Sequence, residues 1–335
     1  MNSMSDLKTE PLLSVVIITY NRGKILLSSL EALALQTYRK ELFEVIVVVD
    51  GSTDNTMEIL AKFSPDFRLK FLYQKNSGAS SARNKGAKEA IGKIALFLDD
   101  DIIADKELLS EHAQHKRKEP MILLGKIGVH PSSPENFLKA GLEKWSDEQF
   151  SKLEKEGYKF SFKDIYFANA SIDKKLFLRL GGFDETFNSY GEEDRELALR
   201  LLKSGVSPVY NPKALGYQYY DKDFKKYCED FFSVGKADLK FYLKHGEMKQ
   251  QLRFSKYYQN SKKIMFFKKL FISLPDFLSI NFYFLKSLMQ IALKMGLKGT
   301  LFGKIQVLTR EFYYLKGLRK ACGSKESFIN LINGV

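Results

Sequence analysis

Residues 14–20 (SVVIITY) form an unbroken β-branched run, the pattern of a strand buried on both faces. A helical stretch follows, with Leu26, Leu30 and Leu33 on one face. Next come residues 44–50 (EVIVVVD), a helix over 54–63, residues 69–73 (LKFLY), a helix from 80 to about 90, and residues 94–98 (IALFL). Strand and helix in alternation predict a parallel sheet with helices on its faces, an α/β domain. In such sheets ligands bind beyond the carboxyl ends of the strands, so the polar residues there carry the functional expectation.

The pattern then loosens. Residues 131–163 are polar and irregular apart from helical pieces around 137–145, and we expect a mobile insertion over the site. From residue 165 the pattern tightens: Asp173 can cap a helix over 174–180 that Gly181-Gly182 ends, and a second helix over 192–203 stops at Gly205. Beyond Tyr220 the chain reads as helical, aromatic and basic. Its most apolar part, 270–285, is interrupted by Pro275 and Asp276, short of the roughly 20 apolar residues of a membrane span. A surface-lying amphipathic segment is expected there, against the plainer alternative of a helical packing layer. The expected organisation is a disordered tail over 1–12, the α/β domain over 13–222 and a helical extension over 223–335.

Composition narrows the class. A chain with 44% hydrophobic and 28% charged residues folds rather than staying disordered. Cys228 and Cys322 fit neither a metal nor a CxxC spacing, which points to a reducing compartment. The first ten residues lack the apolar core of a secretory signal, so the expected location is cytoplasmic. The formal net charge of +13 suits nucleic acid, an anionic membrane or a phosphorylated substrate. Its lysine pairs 225–226, 262–263 and 268–269 are interleaved with Phe and Tyr, which favours peripheral attachment to the inner membrane face over nucleic acid.

The strand ends carry the candidate chemistry. They read Thr19-Tyr20-Asn21-Arg22, Asp50-Gly51-Ser52-Thr53-Asp54, Gln74-Lys75-Asn76-Ser77-Gly78 and Asp99-Asp100-Asp101. Three adjacent carboxylates repel and call for a compensating cation, and Mg²⁺ or Mn²⁺ accepts one or two of them plus substrate phosphates. Strand alternation would turn Asp99 and Asp101 to one side. A second cluster, Glu192-Glu193-Asp194, is either a dipole-stabilised helix start or a general base held against an acceptor hydroxyl. The loop 76–84 (NSGASSARN) offers Gly78 for close backbone approach and Arg83 for phosphate, yet matches neither a Walker loop nor GxGxxG. His112 and His115, on a charged helix, are expected to be exposed. Trp145 can stack on a sugar, although a lone helical Trp more commonly packs.

Taken together, SVVIITYNR, VVVDGSTDNT, NSGASSARNKGAKEA, LFLDDD and GGFDE…YGEEDRELALRL resemble, in this order, the family-2 glycosyltransferases of GT-A fold, over about residues 13–205. The resemblance implies a Rossmann-like mixed sheet flanked by helices, and an inverting transferase with a nucleotide-diphosphate sugar donor, UDP-linked in many members, and a glycan, lipid-linked or protein-linked acceptor. It implies that Thr19, Tyr20 and Arg22 line the base pocket with Ser52 nearby, and that Asp50 accepts a hydrogen bond from the base. Gly78 and Arg83 would face the base or diphosphate. Asp99–Asp101 match the DxD-type motif, with Asp101 on the metal, Asp99 on ribose or metal, and Asp100 on the donor. Glu193-Asp194 match the catalytic pair, with Asp194 as base. Asn169, Gly182, Phe183, Asp184 and Trp145 would lie on the acceptor and sugar side. Many members carry a metal-binding histidine after that helix; here residues 215–222 (LGYQYYDK) hold none, leaving Tyr217, Gln218, Tyr219 or water. A competing reading is a non-catalytic relative that binds nucleotide sugar or another transferase. A nucleotidylyltransferase would need a GxGTR-like loop where TYNRGK stands.

Overall fold

The computed structural model describes residues 12–114, 120–135, 137–258 and 300–334, with the isolated positions 287 and 291. The chain forms two compact units. The first runs to Asn188 and takes in Glu193–Asp221; the second comprises Ser189–Glu192 and the chain from Lys222 onward.

In the first unit, β1 (Leu13–Thr19), β2 (Phe43–Asp50), β3 (Arg68–Gln74) and β4 (Ile94–Asp99) pair in parallel in the order β3-β2-β1-β4. Each is followed by a helix or turn at its carboxyl end: α1 (Gly23–Ala34), α2 (Thr56–Lys62) and α3 (Ala79–Glu89) after the first three. The sheet grows to eight strands through β7 (Asn169–Asp173), β6 (Met121–Val129), β8 (Ser207–Gln218) and β5 (Ile102–Ala104), with β4–β7, β7–β6 and β8–β5 antiparallel and β6–β8 parallel. It is therefore mixed, as the GT-A resemblance implies, and its parallel part is the one that the strand–helix alternation predicts. Every residue of β2 is buried, as its continuous apolar run requires. Strand β3 lies at the edge, where exposed Arg68 and Lys70 discourage pairing with another chain. Leu26, Leu30 and Leu33 of α1 are fully buried in the main core, as their spacing predicts.

Several local expectations need correction. The stretch read as a loop over 76–84 overlaps the helix expected from 80, and the helix prevails: Gly78, at φ +90°, directly precedes α3, so Arg83 and Asn84 stand on it. In residues 131–163 the helical pieces expected around 137–145 form one continuous helix, α5 (Phe137–Leu153), which runs further into the segment than expected. Its Phe150 and Leu153 join the main core, and Ser146 Oγ donates to the Ile127 carbonyl at 2.6 Å. His112, on α4 (Leu108–Ala113), is completely buried rather than exposed. Its Nδ1 lies 2.8 Å from Ser171 Oγ and its Nε2 2.9 Å from Asn169 Oδ1. His115 lies outside the described residues.

The first unit is completed by α6 (Lys174–Arg179), capped by Asp173, whose carboxylate accepts from Leu176 N–H at 2.7 Å, and α7 (Glu193–Lys203). The second unit contains α8 (Phe224–Lys244), α9 (Thr300–Cys322) and α10 (Lys325–Asn333). Helices α8 and α9 approach at Gly235 and Gly317, where a β-carbon would collide with the backbone of Tyr314 or Phe232. The apolar stretch 270–285 and the lysine pairs 262–263 and 268–269 lie outside the described residues. No described helix is long and apolar enough to cross a membrane.

Candidate active site

The loops at the strand ends are tied to one another by side chains. Asn21, at φ +53°, turns its Oδ1 to accept from Thr53 N–H at 2.7 Å and Asp54 N–H at 3.2 Å, while its own N–H donates to Ser52 Oγ at 2.9 Å. Asparagine tolerates the left-handed region better than most residues. It was the one residue of TYNR without an assigned role, and its identity was the available signal. Asp50, buried at the end of β2, accepts from Gln74 Nε2, Ser77 N–H and Gly78 N–H at 2.8, 2.8 and 2.9 Å. Three of about four lone-pair sites on this carboxylate are thus used to shape the next loop. Thr19 is buried beneath the edge, and Tyr20 is half exposed on top of it.

The three aspartates are not arranged by strand alternation, since β4 ends at Asp99 and Asp100-Asp101 turn away from it. Asp100 accepts from Thr19 Oγ1 at 2.7 Å and Arg22 Nη1 at 2.9 Å. Asp101 accepts from Arg22 Nη2 at 3.1 Å, and Gln218 Nε2 reaches it at 3.3 Å. The backbone carbonyl of Asp101 takes the Tyr219 N–H at 2.8 Å. Gln218 and Tyr219 therefore sit where the family resemblance led us to look for a histidine, with an amide donor facing Asp101. Burial pushes the Asp100 carboxyl up to about 7 against the pull of Arg22, and Asp101 is raised for the same reason, with Asp99 adding repulsion. Asp221 stands 3.6 Å from Arg22 on its outer side.

Arg83 joins the two acidic motifs. Its Nη2 donates to Asp99 Oδ1 at 2.9 Å, while Nη1 lies 3.3 Å from Asp194 Oδ1 and 3.4 Å from Glu193 Oε1. The guanidinium carbon lies 5.3 Å from the centre of the Phe183 ring, within cation–π range. Asp194 also accepts from Phe167 N–H at 2.9 Å. Burial and the neighbouring Glu193 push its carboxyl up to about 7, with Arg83 pulling the other way. Asp99 and Asp194, 95 residues apart in sequence, thus share one arginine.

The remaining expected site residues are placed differently. Phe183 is buried beneath Arg83, and Asp184 accepts from Thr186 N–H at 2.9 Å within its own turn. Asn169 is buried in the sheet, where its Nδ2 donates to the Lys126 and Ala214 carbonyls at 3.1 and 2.9 Å and its Oδ1 faces His112. Its amide is spent on structure. Trp145 is partly exposed and meets Phe150 and Tyr166 edge-on. A cavity of about 670 Å³ opens beside Arg22, lined among others by Asn21, Lys24, His130, Tyr219 and Asp221. It adjoins the aspartate turn through Arg22 and does not include Asp99 or Asp194.

Comparison with known proteins gives the following matches. The profile described as "Glycosyl transferase family 2" matches residues 14–181, and one described as "N-terminal domain of galactosyltransferase" matches 148–226. Validoxylamine A glucosyltransferase of Streptomyces hygroscopicus subsp. jinggangensis (strain 5008) is 33% identical over 233 residues, covering 62% of this chain and 55% of that protein. The uncharacterized glycosyltransferase YfnE of Bacillus subtilis (strain 168) is 28% identical over 243 residues, covering 58% and 61%. The chain thus spans little more than half the length of these relatives. Among solved structures, the mannosyltransferase PcManGT of Pyrobaculum calidifontis in complex with GDP-Man and Mn²⁺ superposes with a TM-score of 0.59 at 17% identity, covering 93% of this chain and 87% of that one. S. aureus TarS 1-349 in complex with UDP gives 0.50 at 20% identity, covering 93% and 92%. The shared architecture is the GT-A fold.

Proposed function

The chain belongs to glycosyl transferase family 2, and from that premise we propose that it moves a sugar from a nucleotide-diphosphate donor to an acceptor hydroxyl with inversion at the anomeric carbon. The observation that carries the reading is the Arg83 bridge, which unites the Asp99 strand end with the Glu193-Asp194 helix start in one site. UDP is the favoured donor nucleotide, in keeping with the resemblance.

Asp194 is the base. Its carboxylate is fixed by the Phe167 N–H, stands at the start of a helix and has a proton affinity near neutrality, where a general base works best. It takes the hydroxyl proton as the acceptor oxygen attacks the anomeric carbon. The bond from that carbon to the diphosphate oxygen breaks, and the nucleoside diphosphate leaves with the electron pair. Attack from the opposite face converts an α-linked donor into a β-linked product.

The aspartate turn suits a hard divalent cation such as Mn²⁺ or Mg²⁺ in donor chemistry: oxygen ligands, buried, and held above the usual carboxylate range by desolvation and mutual repulsion. Asp101 and Asp99 would hold it, with Asp100 supporting. Among the described residues, no three acidic, histidine or cysteine side chains already form a coordination group, and Arg22 occupies Asp100 and Asp101. When bound, the cation supplies positive charge for the departing diphosphate. Arg22, Lys24 and the cavity beside them favour the phosphates on that side.

A panel of UDP- and GDP-sugars, scored by thermal shift with Mn²⁺ and then by nucleotide release, tests the proposal. At least one donor should stabilise the protein and be turned over, and Asp101→Ala should abolish turnover and the Mn²⁺-dependent part of the stabilisation. Turnover undiminished in Asp101→Ala would reject the metal assignment.

A further inference from the structure

Two helices carry the charged partners of the site, Arg83 on α3 and Asp194 on α7. The segment 180–183 lies between them and is gripped from both sides. From α3, Asn84 Oδ1 accepts from Phe183 N–H at 2.8 Å, and Asn84 Nδ2 donates to the Phe183 carbonyl at 2.9 Å and to Glu185 Oε1 at 2.9 Å. From α7, Arg200 donates through Nη1 to the Leu180 carbonyl at 2.7 Å and through Nη2 to the Gly182 carbonyl at 2.6 Å. Glu196, one turn back and fully buried, holds the same guanidinium by Nε at 2.9 Å and Nη2 at 2.7 Å. Gly182 is at φ +62°, and a β-carbon there would stand 2.5 Å from Asn84 Oδ1, so only glycine admits the asparagine grip.

Phe183 is thereby locked in place, and its ring lies under the Arg83 guanidinium. We propose that Asn84 and Arg200 are positioning residues: by clamping residues 180–183 between α3 and α7 they set the Phe183 platform that keeps Arg83 against Asp194. Neither residue reaches the reacting atoms. The inference takes Asp194 as the base from the preceding subsection and adds what holds its arginine in place: the Phe183 ring, 5.3 Å from the Arg83 guanidinium, is the surface the clamp fixes.

The test is NMR of the arginine side-chain N–H groups in the full-length chain, with the Arg83 signal, displaced by the Phe183 ring it lies against, assigned by its loss in Arg83→Lys. Asn84→Ala and Arg200→Gln should each move that signal toward the position of an arginine with no aromatic ring beside it. Arg200 is partly exposed, so its variant remains informative where Asn84→Ala loses the fold. Leu60→Ala, a core truncation in α2, should lower the melting temperature without moving the signal; that separates a positioning effect from general destabilisation. An unmoved Arg83 signal in folded Arg200→Gln overturns the clamp. The spectrum needs no turnover, so that failure would leave the base assignment standing. Retained turnover in Asp194→Asn would remove the base assignment instead.

Discussion

Asp194 and Asp100 are carboxylates kept where a carboxylate is uncomfortable. Burial lifts both to about 7, even though each faces an arginine. The stability consequence has a definite sign. A group whose folded-state value is raised above its ordinary one contributes stability that is complete below that ordinary value, 3.8 for Asp194, and is lost as the pH rises from there through about 7. Asp194→Asn should therefore melt higher than the parent at pH 8, with the difference shrinking steadily as the pH falls through 7 toward ~4, as read by calorimetry. Equal differences at both ends of that range would mean that Asp194 is not held in this state. Turnover should show the complementary trend, rising with pH as Asp194 ionises. At this scale the sequence was informative about identity and silent about partnership. The acidic motifs were visible as clusters, but which arginine each would meet depends on contacts spanning 16 residues for Arg83–Asp99 and 111 for Arg83–Asp194. Nothing local encodes such contacts.

The elements that hold these residues were legible to different degrees, for physical reasons. Strands β1, β2 and β4 are buried on both faces and must be continuously apolar, so they stood out. Helix α5 did not: its Phe150 and Leu153 are enough to anchor it, and most of its surface is charged. Phe150→Ala should cost ~3–5 kcal/mol in urea unfolding, the scale of a buried aromatic truncation. A loss below ~0.5 kcal/mol, typical of a surface position, would return this segment to the status of a loose insertion. The Asn21 staple between the β1 and β2 loops is a smaller case. Asn21→Ala removes the hydrogen bonds its side chain accepts from Thr53 and Asp54, and a residue that tolerates φ +53°. A loss of ~1–3 kcal/mol is expected, with weakened donor binding as the loops part.

At the scale of the whole molecule, an α/β unit built on a mixed sheet brings four strand-end loops and one helix start to a common edge, and a separate helical unit follows. The alternation of strands and helices announced the first of these. The other half of the sheet, with its antiparallel pairs, was implied only by the family resemblance, because β6, β7 and β8 pair across long connections that leave no period in the chain. Ligand linkage offers a global check on the site: a donor nucleotide with Mn²⁺ at a hundred times its dissociation constant should stabilise the fold by ~2.7 kcal/mol. The most direct test of the central claim, that Asp194 strips the proton in a site it shares with the aspartate turn, is single-turnover sugar transfer by Asp194→Asn beside its donor affinity. Donor binding should be retained while the rate falls ~100-fold or more; an unchanged rate would contradict the account.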